Sequence, residues 1–327
     1  MITHNFLRGL LSQTARLYRP QSSLRFQTRG LRIVRYSDKN DYRYKQQQPI
    51  WQNRNFWYVT GAAGTGGTVY YVQHLEDSPT GRRRFINVSP EQETHTGIEA
   101  YREILQQYRG QIEPRGTPTD LYVRRVAQRV IQATGMKGDW EVHVIRSPEK
   151  NAFVLPGGKI FVFSGILPVA ANESGLATIL SHEVAHQYAR HSAEKLSQAS
   201  LLQILYIIAS FFVDPNILQL GQAMSSLLLE LPNSRQCEQE ADQLGLYFMA
   251  AACYDPKEAV GLWERMRAAE VSSPPQFLNT HPSTASRIDS IQKWIPEAET
   301  RREAAKCPNP STTRAFFEQQ RRHSWLE

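Results

Sequence analysis

His182-Glu183-Val184-Ala185-His186 places two imidazoles four residues apart with a carboxylate beside the first. On a helix this spacing is little more than one turn, so both rings leave the same face. Two ring nitrogens on one rigid element suit the first two ligands of a tetrahedral zinc. Glu183 is then placed to take a proton from a water at the metal. Residues 177–181, just before, are mostly apolar, as a buried helix would be. The bland alternative is a surface helix with two solvated histidines, and a second motif weighs against it.

A catalytic zinc takes three protein ligands and leaves one position for water. The third ligand is sought in Ser234-Arg235-Gln236-Cys237-Glu238-Gln239-Glu240-Ala241-Asp242, which reads as helical. Glu238 and Asp242 share a face with Ala241 and Gly245, small residues that would let this helix approach the one carrying His182. Glu238 is assigned as the third ligand. Asp242 is assigned as the carboxylate that orients a ligand histidine through its free ring nitrogen. Glu240 is read as a solvated acid on the outer face, and a register with Glu240 as the ligand stays open.

The elements around these motifs follow from periodicity and turn signals. Helical patterns occupy 97–109 and the stretch after Thr117-Pro118, with Val123, Val126, Val130 and Ile131 on one face. Residues 140–146 and 159–163 read as a hairpin-like pair of strands, with 151–158 between them. The edge at Asn151, Ala152, Phe153 and Val154 could hold an extended peptide by strand addition. Residues 201–213 form a short apolar run, too short to span a membrane and suited to a core helix or a membrane-dipping segment. Further helices are expected near 234–252, 256–270 and 284–295, with a Pro/Ser loop at 272–283 that contains His281. Cys237, Cys253 and Cys307 are odd in number and lack a CxxC pair, so no disulfide is expected.

The charge is unevenly spread. Of 38 Lys/Arg and 31 Asp/Glu, eleven and two fall in residues 1–54; the remaining 27 and 29 leave the rest at −2. The basic character belongs to the N-terminus, which removes the main argument for nucleic-acid binding. Residues 1–37 carry seven arginines and no lysine or acid, the pattern of a mitochondrial targeting segment. A polar linker, 38–54, precedes residues 55–73, whose uncharged glycine-rich stretch has aromatic residues at both ends and is read as a single membrane anchor. Its orientation cannot be read, because Arg43, Lys45 and Arg54 on one flank face Arg82, Arg83 and Arg84 on the other. A second linker, 74–94, leads to a catalytic domain at 95–295, and 296–327 is a polar tail.

Taken together, these motifs resemble the HtpX-like and prenyl-protein-protease-like zinc metalloendopeptidases, and most of all the mitochondrial inner-membrane members of that family. The residues that carry the likeness are Asn151-Ala152-Phe153, Pro156-Gly157-Gly158, Ser181 to His186, Ser234-Arg235, Glu238, Ala241, Asp242, His281-Pro282-Ser283 and Ser286-Arg287. The resemblance implies an α+β fold: a mainly helical zincin-type domain with a small sheet, an edge strand before the His182 helix, and one N-terminal anchor. It implies one zinc per chain, held by His182, His186 and Glu238, with Glu183 as general base. It places His281 near the zinc, stabilising the oxyanion or filling the water position in a resting state. Arg287 could add positive charge to the oxyanion. The implied partners are protein substrates in or near the inner membrane and membrane lipid, without nucleic acid; a homo-oligomer is left open. The catalytic domain would face the intermembrane space. Two other classes compete: a zinc-binding scaffold, which the intact Glu183 argues against, and a basic RNA or lipid binder, which removal of residues 1–37 would exclude.

Overall fold

The computed structural model describes residues 53–210, 233–272, 276–281 and 285–307. The arginine-rich segment, most of the first linker, residues 211–213, Pro282, Ser283 and residues 308–327 lie outside them. The chain divides into two units, residues 1–58 and 59–327. Of the first, the described part is Asn53 and the opening of helix α1 (Arg54–Gln73).

Helix α1 forms where the anchor is expected, but among the described residues no helix is long and apolar enough to cross a membrane. Gly61, Gly64, Gly66 and Gly67, with three threonines, dilute its apolar content. A two-stranded hairpin follows, β1 (Leu75–Asp77) against β2 (Arg83–Phe85). Helix α2 (Pro90–Gln107) starts at a capping box: Ser89 accepts from the Gln92 N–H, and Gln92 reaches back to the Ser89 N–H. Helix α3 (Pro118–Thr134) is capped by Thr117 and buries Val123, Val126, Ala127 and Val130, the face its periodicity marks.

The central sheet runs β3 (Glu141–Ile145), β5 (Lys159–Phe163), β4 (Ala152–Leu155), with β5 in the middle and buried along its whole length. Strand β3 lies parallel to β5, and β4 antiparallel to it. The hairpin partner of 159–163 is therefore 152–155, not 140–146 as the sequence suggested. The cause is the turn at Pro156-Gly157-Gly158. Gly157 (φ 87°) and Gly158 (φ 81°) both adopt the left-handed region, which only glycine enters freely, and reverse the chain at once.

After a short helix α4 (Leu167–Ala170) comes α5 (Glu173–Tyr188), capped by Asn172, whose side chain accepts from the Gly175 N–H. Residues 175–185 of α5 are all buried. A helix buried on every side is the centre of its domain, and this one carries His182, Glu183 and His186. Around it pack α3, α7 (Asn233–Ala251) and α8 (Glu258–Ser272), while α6 (His191–Ser210) leaves its C-terminal end. Helices α9 (Gln276–Thr280) and α10 (Ala285–Ala304) complete the fold. Helix α10 runs on through Pro296 to Ala304, so the tail expected from 296 begins as helix.

The cysteines depart from the expectation of no disulfide. Cys237 is buried and free. Cys253 and Cys307 form a disulfide, 54 residues apart, tying the end of α7 to the end of α10. That pairing is set by tertiary proximity and leaves no spacing signature.

Candidate metal centre and active site

Helices α5 and α7 cross at Gly245. A Cβ there would lie 2.9 Å from His182 N and 3.0 Å from His182 Cα, closer than side chains approach backbone. The missing side chain lets the two helices bring their polar faces into register. His182 Nε2 and His186 Nε2 are 3.1 Å apart. Glu238 lies 3.3 Å from the first and 3.4 Å from the second. His281 Nδ1 stands 3.1 Å from His182 Nε2 and 2.9 Å from Glu238 Oε2. These four donors all fall within 4.8 Å of one another.

The donor set suits zinc. Bonds of ~2.0–2.1 Å in a tetrahedron give ligand–ligand edges of about 3.3–3.4 Å. The five donor–donor distances given above, 2.9–3.4 Å, are of that size. Two imidazoles and a carboxylate also form a donor set of borderline softness that zinc favours.

Electrostatics agree with a site made for a cation. Burial would raise the Glu238 carboxyl, but His281, His186 and His182 hold it well below the usual carboxylate range. Burial would lower the His182 ring, yet Asp242 and Glu238 push it up to about 9. The carboxylates that favour a proton on His182 favour a metal there equally. His186 is driven well below 6.5 by burial, against the pull of Glu238.

Glu183 is buried beside the donors without joining them. Its Oε1 lies 3.3 Å from His281 Nε2 and accepts no hydrogen bond. Burial raises its carboxyl above the ordinary value, against the pull of His281 and His182. Asp242 Oδ1 is 3.0 Å from His182 Nδ1, which donates to it and leaves Nε2 free to face the donors. Arg287 grips Asp242 with two nitrogens, reaches Glu238 Oε2 at 3.1 Å and lies over the Trp263 ring at 3.8 Å. Its fork is thus engaged by the acidic residues of α7.

The remaining expected residues are placed as follows. His281 is buried and directly follows α9; its N–H donates to Phe277 O, and its ring stacks on Phe277 at 4.6 Å. Phe277 N–H in turn donates to Lys150 O, which ties α9 to the chain entering β4. Ala152, Phe153 and Val154 lie in β4, at the edge of the sheet, and the Val154 N–H faces the Glu183 carboxylate. Asn151 sits one residue before the strand; its carbonyl accepts from Phe163 N and its side chain from Ala152 N. Phe153 packs on Phe161 and Phe163.

Glu240 departs from the sequence reading. It is buried, not solvated, and accepts from Thr80 and Arg82 of the β1–β2 hairpin. Burial would raise its carboxyl, but bonds from His191, Ser78 and Thr80 hold it well below the usual range. The hairpin lies 160 residues away in sequence, so no local pattern could reveal that it covers this helix face. His191 was also passed over, although it follows His186 by five residues. Its Nδ1 lies 2.8 Å from His186 Nδ1.

Comparison with known proteins agrees with this geometry. The profile of Peptidase family M48 matches residues 118–295. The chain belongs to peptidase family M48. It is 45% identical over 287 residues to the mitochondrial metalloendopeptidase OMA1 of Schizosaccharomyces pombe, covering 86% of this chain and 84% of that protein. Identity to the Saccharomyces cerevisiae protein of the same name is 38% over 269 residues, 74% of this chain and 75% of that one. The Escherichia coli beta-barrel assembly-enhancing protease is 28% identical over 179 residues, 51% of this chain and 37% of that protein.

Proposed function

We propose that this M48 protein is a zinc-dependent metalloendopeptidase of the mitochondrial inner membrane that cleaves membrane or misfolded proteins. The observation that carries the reading is the convergence of His182, His186, Glu238 and His281 with a buried Glu183 carboxylate beside them, whose Oε1 accepts no hydrogen bond. The names of its OMA1 relatives support the mitochondrial endopeptidase activity.

His182, His186 and Glu238 would hold the metal, which supplies Lewis acidity to the attacking water and the scissile carbonyl. Glu183 takes the proton from that water and passes it to the leaving amine. Its raised carboxyl suits both transfers, because a base nearer neutrality also returns the proton well. Asp242 fixes the His182 tautomer, and Arg287 holds Asp242 in place. The substrate backbone lies along β4, beside the Val154 N–H that faces Glu183. His281, at the fourth corner of the donor set, caps the centre in a resting state and swings clear when substrate enters.

Helix α1 serves as the membrane element. Its 20 residues would reach ~30 Å, about the thickness of the hydrocarbon core. Trp57, Tyr58, Tyr70 and Tyr71 are exposed towards its ends, as interfacial residues are. Its glycines favour packing against another helix within the bilayer. The Cys253–Cys307 disulfide suits an oxidising compartment and supports a catalytic domain in the intermembrane space.

The test is zinc content together with cleavage of an unfolded membrane-protein substrate, comparing wild type with Glu183→Gln. The amide cannot accept the proton, so turnover should fall ~10²–10⁴-fold with zinc retained. A Glu183→Gln protein that loses its metal, or cleaves at the wild-type rate, overturns the assignment.

A further inference from the structure

Helix α5 gives two histidines to the donor set, His182 and His186, and their far nitrogens meet different partners. His182 Nδ1 meets Asp242 directly. His186 Nδ1 instead meets a third imidazole, His191, at 2.8 Å, and His191 Nε2 meets Glu240 Oε2 at 3.1 Å. The protonation pattern follows from the end of the chain. An ionised Glu240 only accepts, so His191 Nε2–H donates to it. His191 Nδ1 then carries a lone pair and accepts from His186 Nδ1–H. That leaves the His186 Nε2 lone pair aimed at His182 and Glu238.

The local backbone is arranged for this contact. Helix α5 ends at Tyr188, and Arg190 adopts φ 54°, a left-handed conformation unfavourable for a residue with a Cβ. The bend starts α6 at His191 and turns its ring back on His186, with centroids 4.8 Å apart. Arg190 is held there by Glu93 Oε2 at 3.0 Å and Val88 O at 2.9 Å. On α7, Glu240 lies about 200° round the helix from Glu238. It therefore reaches the donor set through His191.

The far end of the chain is anchored by charge. Arg82, from the β1–β2 hairpin, donates to Glu240 Oε2 at 3.1 Å and grips Glu194 of α6 at 2.6 and 2.7 Å. His191, Glu194 and Glu240 are all buried. A buried ionic cluster is rarely a better source of stability than apolar packing of the same volume. Its directional contact with His186 gives it a chemical purpose instead.

We propose that His191 and Glu240 are positioning residues for the metal centre: a histidine–carboxylate relay that fixes the tautomer and orientation of His186, with Arg82 securing the relay to the hairpin after α1. The proposal rests on the metal-site reading above. It makes the β1–β2 hairpin, outside the matched M48 region, a structural support of the centre.

The test uses the full chain in detergent micelles. Zinc affinity is measured by competition with a chromophoric chelator, and cobalt(II) replaces zinc to record its ligand-field spectrum. His191→Phe keeps a ring but removes both nitrogens. Loss of such a partner typically weakens metal binding about 10–100-fold. The same loss is expected here, with a shifted cobalt spectrum. Glu240→Leu should follow His191→Phe, whereas Glu240→Gln, which keeps an acceptor for His191, should stay near wild type. Wild-type zinc affinity and cobalt spectrum in His191→Phe overturn the relay. If His191→Phe does not fold, the Glu240 pair decides: equal affinities for the Gln and Leu variants overturn it. A wild-type chain that binds no zinc would sink the metal-site reading itself, a separate outcome.

Discussion

Gly245→Ala is the substitution whose effect the geometry specifies most closely. The added methyl would stand 2.9 Å from His182 N, 3.0 Å from His182 Cα and 3.1 Å from Ser181 C, all backbone atoms inside helix α5. Ordinary contact begins near 3.4 Å, so α5 and α7 must separate locally by about half an ångström. Alanine gains about 1 kcal/mol of helix propensity over glycine. Overpacking a tight contact costs about 1–3 kcal/mol. The net is a loss of up to about 2 kcal/mol, or several degrees of melting temperature in a domain of this size. The larger effect should be on metal. The shift separates His182 from Glu238, and a site tolerates only about 0.5 Å of misplacement before it weakens. Zinc affinity should fall about tenfold or more, equivalent to about 1.4 kcal/mol. Chelator competition measures the affinity, and melting curves with and without zinc separate the two effects. A Gly245→Ala protein that melts higher than wild type and binds zinc equally well would refute the close-approach argument.

Other outcomes follow from the same geometry. His281→Ala should raise basal turnover about tenfold with zinc retained, because a cap worth ~1.4 kcal/mol holds the open form to about a tenth; a strong loss of turnover would assign His281 to the oxyanion instead. Glu238→Ala should lose both zinc and peptidase activity, read by metal analysis and substrate cleavage, since it removes a carboxylate that lies against both His182 and His186. Membranes stripped with alkaline carbonate should retain the protein, and recovery in the supernatant would remove α1 as a membrane element.

The grouping of side chains at the centre was legible because it is local. The four-residue spacings of His182 with His186 and of Glu238 with Asp242 each set one helix face, and the small residues Ala241 and Gly245 marked where the faces would meet. The start of α3 after Thr117-Pro118 and the apolar face of that helix were equally local. What the sequence could not supply depends on contacts between distant segments. The antiparallel partner of β5 is the exception: its signal, the turn at Gly157-Gly158, is local, and the sequence reading paired the strands across it wrongly. The Cys253–Cys307 bond required the ends of α7 and α10 to meet. Glu240 looked solvent-facing because the hairpin that covers it comes from the other end of the chain, and His191 looked incidental because its contact with His186 depends on the bend at Arg190. Local periodicity fixes which side chains share a face; which face is covered, and by what, is settled only when elements far apart in sequence pack together.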